Sequence, residues 1–102
     1  MTMTNRILLV TRHQATVVWL ADQEIEVDSL IPHLDVDDIQ KGDTVIGTLP
    51  IQLACAVCQK GATYRHLTLD MPAELRGLEL SVEQLSLCNP RLEQYEVVRV
   101  ED

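Results

Sequence analysis

Thr11, Arg12 and His13 bring a hydroxyl, a guanidinium and an imidazole together directly after the apolar run Ile7-Leu8-Leu9-Val10. Arg12 can hold a phosphate through paired N–H donors, and His13 can pass a proton near neutral pH. A second group, Gly47-Thr48-Leu49-Pro50, repeats this placement after Thr44-Val45-Ile46. Gly47 permits close backbone approach there, and Thr48 adds a hydroxyl. Each group also has an ordinary reading. Arg12 would pair with one of the sixteen acids of the chain, His13 would be a solvated turn residue, and Thr48 would cap a helix.

The other candidates carry less. Cys55-Ala56-Val57-Cys58 is a lone C-x-x-C. A zinc site needs further ligands at suitable spacing, and Cys88 alone does not complete one. Both sulfurs fall near the apolar stripe of a helix, which reads as core packing. His33 and His66 are isolated and read as structural, with His13 preferred to either as a proton donor. Asp70 falls at a strand end, where a carboxylate would orient a ribose hydroxyl better than it would bind phosphate. The glycine patterns of nucleoside triphosphate and dinucleotide sites are absent from the sequence, which disfavours both ligands. Neither a metal nor a cofactor is expected.

These residues matter only if the backbone presents them together. The first strand is expected at about Arg6–Val10 and the first helix at about Gln14–Asp22, with Ala15, Val18 and Trp19 facing a sheet. That helix has no Ser, Thr, Asp or Asn directly before it unless Thr11 serves. An uncapped start leaves N–H groups that a ligand can satisfy. Glu26–Ile31 alternates acidic and apolar residues and reads as a second, half-buried strand ended by Pro32. Asp35–Gln40 is a short polar turn and Lys41-Gly42-Asp43 a tight one. Thr44–Gly47 is a third, buried strand. Pro50 then falls in the first turn of a helix, where proline is tolerated. Its stripe is Ile51, Ala54, Cys55 and Cys58, and Gly61 closes it.

Tyr64–Leu69 is expected as a fourth strand, followed by a loop around Pro72. Ser81 and Gln84 fit a capping box that opens a short helix over Val82–Leu87. Asn89-Pro90 breaks it, and Tyr95–Val100 reads as a terminal edge strand. The order β-α-β-β-α-β-α-β makes an α/β layer fold of the Rossmann-like kind. It predicts one domain, with a mostly parallel sheet of about five strands and helices on both faces. In such sheets ligands bind beyond the carboxyl ends of the strands. Both polar groups fall there, and the start of the following helix favours an anion. Gln14, Leu49 and Pro50 would border the ligand.

The 102 residues are 46% hydrophobic and carry a formal charge of −8. That is enough apolar content for one core. The acid argues against long nucleic acids, whose binding needs many Lys and Arg. Residues 70–102 hold eight carboxylates against three arginines. A small ligand with few phosphates could still enter one local pocket. With no Phe, one Trp and two Tyr there is no stacking platform for single strands. Three cysteines argue against a disulfide framework. No apolar run reaches the roughly 20 residues of a membrane span, and Met1–Arg6 lacks a secretory core of its own. A cytoplasmic protein is expected.

The chain resembles the small stand-alone CRISPR-associated proteins of the "Csx" class that accompany type III systems. The matching segments are Leu9-Val10-Thr11-Arg12-His13, Trp19, Gly42 through Pro50, His66-Leu67, Pro72 through Gly77, and Glu79-Leu80-Ser81. Gly42–Pro50 and Pro72–Gly77 are the most specific. Thr11 stands where serine would be expected and keeps the hydroxyl. Gln14 stands where a smaller or turn-forming residue would be expected.

The resemblance implies a reduced version of the CRISPR-associated Rossmann fold (CARF) and a cyclic oligoadenylate ligand. The expectation is a ring nuclease that opens cyclic tetra-adenylate without metal, with Thr11, Arg12 and His13 as catalytic residues, working as a two-fold homodimer. The rival expectations are a protein that sequesters the same messenger and a structural subunit of a CRISPR complex.

Overall fold

The computed structural model describes residues 5–101. Residues 1–4, part of the segment read for a leader, and residue 102 lie outside them. Five strands form one sheet: β1 (Ile7–Val10), β2 (Ser29–Ile31), β3 (Thr44–Gly47), β4 (Thr63–Thr68) and β5 (Arg91–Tyr95). Three α-helices accompany them among the described residues: α1 (Gln14–Asp22), α2 (Ile51–Gln59) and α3 (Val82–Leu87). The strand order is β2-β1-β3-β4-β5, with the first four parallel and β5 antiparallel to β4. The expected α/β layer fold with a mostly parallel sheet is therefore the fold of this protein.

Successive residues of β1 explain why its sequence is apolar throughout. Leu8 points into a core with Val45 of β3, Tyr64 of β4, and Ala54 and Val57 of α2. Leu9 points the other way, against Ile46 and Leu20 of α1. A strand covered on both faces needs apolar residues at every position. The same alternation places α1 and α2 on opposite faces. No helix among the described residues is long and apolar enough to cross a membrane.

Several local expectations change. The fourth strand covers Thr63–Thr68 rather than Tyr64–Leu69. The second strand covers Ser29–Ile31 rather than Glu26–Ile31. Ile25 and Val27 instead turn in against the α1-side core, and the Asp28 carboxylate takes the Ile7 N–H at 2.7 Å. The terminal strand is Arg91–Tyr95 rather than Tyr95–Val100, because it pairs in register with β4, Leu92 opposite Leu67. The chain beyond it crosses α2, where the Val97 N–H meets Cys58 Sγ at 3.4 Å.

The inward residues of α1 are Ala15, Thr16 and Leu20, with Trp19 packed alongside; Val18 is not among them. In α2, Ala54, Cys55 and Val57 are buried, while Ile51 opens the helix and is 74% exposed. All three cysteines are free, and both sulfurs of the C-x-x-C belong to packing.

Candidate functional site

β1 and β3 lie side by side, with Val10 opposite Gly47. Their following helices depart to opposite faces, so the strand order reverses between them. A crevice at such a point is where open α/β sheets hold ligands. A cavity of about 220 Å³ opens there. Thr11 and His13 from the β1–α1 loop and Gly47 and Thr48 from the end of β3 line it together. Leu67, Leu69, Leu80 and Leu85 form much of its apolar wall.

The β1–α1 loop is held from both sides. The Thr11 N–H donates to the Ile31 carbonyl of β2 at 3.0 Å. The Thr11 hydroxyl accepts the His13 N–H at 3.1 Å, closing a tight side-chain turn. Thr11 therefore shapes the loop, and its hydroxyl hydrogen remains free to donate. His13 occupies the N-cap position with extended backbone, and no side chain caps the first turn of α1. The helix opens toward the cavity with its first amides without a side-chain acceptor, the arrangement that favours an anion. Arg12 on the same loop and Gln14, the first residue of α1, are exposed and lie outside the cavity lining.

Gly47 is required by contact rather than by dihedral angle. A Cβ built on it would stand 2.8 Å from the Val10 carbonyl oxygen. Gly47→Ala must push β1 and β3 apart at the crevice. Overpacking of this kind costs about 1–3 kcal/mol. Denaturant unfolding should register that loss; unchanged stability would contradict the close approach.

Leu49, Pro50 and Asp70 are placed differently from the cavity residues. The Leu49 N–H, expected to face a ligand, donates to Tyr64 Oη at 2.9 Å. Pro50 is the exposed N-cap of α2. Asp70 accepts from Arg91 at 3.2 Å and from the Asn89 amide at 3.1 Å, so each oxygen has a partner at the β4–β5 corner. The Asn89 and Arg91 donors hold its carboxyl below the usual carboxylate range.

Tyr64 went unrecognised in the sequence. Its hydroxyl also lies 3.1 Å from the Gly47 carbonyl and 2.7 Å from His66 Nδ1. A proton on His66 Nδ1, with the tyrosine donating to Gly47, satisfies every group. Burial raises the Tyr64 pKa, the Leu49 N–H acting against it. The neutral hydroxyl thus pins the Gly47–Leu49 turn. His66, packed edge-on between Tyr64 and Tyr95, is part of that support. The only sequence signal was the two-residue spacing of Tyr64 and His66 on one strand.

No curated protein and no solved structure matches this chain. A family model described as "Putative CRISPR-associated protein (Cas_VVA1548)" matches residues 8–98, a span that runs from the second residue of β1 through β5 and includes both loops of the crevice. With nearly the whole fold covered by that match, the chain belongs to the Cas_VVA1548 family of CRISPR-associated proteins.

Proposed function

We propose that this protein is a ring nuclease that opens cyclic tetra-adenylate, a second messenger of type III CRISPR defence, in the cytoplasm. The observation that carries the reading is His13, poised at the uncapped start of α1 on the rim of the crevice cavity. The nucleophile lies within the substrate. A ribose 2′-oxygen bonds to its neighbouring phosphorus as the bond to the 5′-oxygen breaks. The 2′-hydroxyl proton passes to solvent, and His13 supplies the proton that the 5′-oxygen takes up. The products are a 2′,3′-cyclic phosphate end and a 5′-hydroxyl.

The amides at the start of α1 would stabilise charge on the phosphoryl oxygens. Thr48 adds a hydroxyl donor, and Arg12 reaches the phosphate from the rim. Leu49 drops out of this set, because Tyr64 holds its N–H. A symmetric four-nucleotide ring also suits a two-fold dimer, each copy supplying half of the cradle.

Calorimetric titration with cyclic tri-, tetra- and hexa-adenylate should give tightest binding to the four-membered ring, and light scattering should give a dimer. Cleavage should be unaffected by EDTA, since no step needs a metal-bound nucleophile. Loss of activity in chelator that a divalent ion restores would overturn the mechanism. Failure to bind any of the rings would overturn the reading, and co-purification with effector subunits would then favour a structural role.

A further inference from the structure

We infer that the crevice cavity is a subsite for one adenine base, with the Thr16 hydroxyl reading the base edge. The identity of the base rests on the ring-nuclease reading; occupancy by a flat, neutral ring rests on the cavity itself.

The cavity has two characters. Its rim is polar, formed by Thr11, His13 and Thr48, and its wall is aliphatic. A nucleotide has the same division, with phosphate at one end and a largely apolar ring at the other. Neither Asp, Glu, Lys nor Arg lines the cavity, so its depth suits a neutral group while charge stays at the rim. The volume of about 220 Å³ falls below the roughly 300–1,000 Å³ of sites that enclose drug-sized ligands. One base fits this scale, and a whole ring must lie across the mouth. No Phe, Tyr or Trp lines the space, so the base would be held between aliphatic side chains.

Thr16 supplies the independent observation. It is only 7% exposed, it lines the cavity, and its hydroxyl makes no hydrogen bond among the described residues. A hydroxyl both donates and accepts, so it can serve a ring nitrogen or the exocyclic amine of adenine. As the third residue of α1 it lies in the same first turn as the amides that would meet phosphate. One nucleotide would then span helix start and cavity.

The test uses the full chain with Thr16→Val, which keeps the shape and removes the hydroxyl, and Thr16→Ser, which keeps the hydroxyl. Thr16→Val should bind cyclic tetra-adenylate about three- to tenfold more weakly than wild type, and Thr16→Ser close to normally. Amide resonances of Thr16, Leu67 and Leu85 in the wild type should shift on titration with adenosine 5′-monophosphate, more than with uridine 5′-monophosphate. Should Thr16→Val fail to fold, this titration decides alone. Ring binding that Thr16→Val leaves unchanged, or adenosine 5′-monophosphate that leaves these resonances still, would overturn the subsite while leaving the nuclease reading intact. Wild-type protein that binds no ring, yet shows the shifts with adenosine 5′-monophosphate, would do the reverse.

Discussion

Replacing His13 with alanine is expected to slow ring opening by about 10²–10⁴-fold while affinity for cyclic tetra-adenylate stays near normal. The imidazole is assigned to the proton that the 5′-oxygen gains as it leaves, so its contribution arises in the transition state. The loop survives its removal. The turn is closed by the His13 backbone N–H on the Thr11 hydroxyl, and the His13 carbonyl accepts the Thr16 N–H at 3.2 Å. Both remain in the alanine variant. Arg12 is assigned a phosphate contact present before and during the reaction. Arg12→Ala should therefore weaken binding about ten- to a hundredfold, with cleavage following. Single-turnover rates beside calorimetric affinities separate the two. Full-rate cleavage without His13 would pass the proton to another group. If neither change matters, the site is not at the end of β1.

Asp43→Ala is expected to destabilise the fold by about 3–5 kcal/mol, toward the lower end because Arg6 can regain water. Asp43 is 0% exposed. Its carboxylate accepts from Arg6 at 2.7 and 3.2 Å and from the Gln40 N–H at 2.9 Å. It thereby ties the residue before β1 to the turn before β3, at the end of the sheet opposite the cavity. Urea unfolding should show a clear loss of stability, with ring affinity per folded molecule unchanged. Wild-type stability in the variant would mean that this half-buried pair contributes nothing net.

The parts of the fold written in local signals were legible. Thr44–Gly47 is bounded by turn residues on both sides and matches β3 residue for residue. Ser81 and Gln84 exchange their two capping hydrogen bonds at 2.9 and 3.1 Å, so α3 starts where the sequence places it. The misplaced segments depend on distant partners. β5 is set by its register with β4, and the chain after Tyr95, expected to continue as a strand, instead crosses α2.

The site divides in the same way. Thr11, His13, Gly47 and Thr48 meet because each lies within a few residues of a strand end, and the sheet aligns those ends. Leu49 and Asp70 have the same kind of address but are engaged by Tyr64 and Arg91, 15 and 21 residues away. Thr16 was hidden by the rotation of α1, since the expected stripe ran through Val18. The aliphatic wall comes from β4, α3 and the connection between them, which carries no periodic pattern to read.

The most direct measurement is product analysis after prolonged incubation of the protein with cyclic tetra-adenylate in EDTA. The account predicts linear oligoadenylates with a 5′-hydroxyl at one end and a 2′,3′-cyclic phosphate at the other, identified by mass, and none with His13→Ala on the same time scale. An intact ring recovered from wild-type protein that binds it would contradict the account and leave a protein that sequesters the messenger without cutting it.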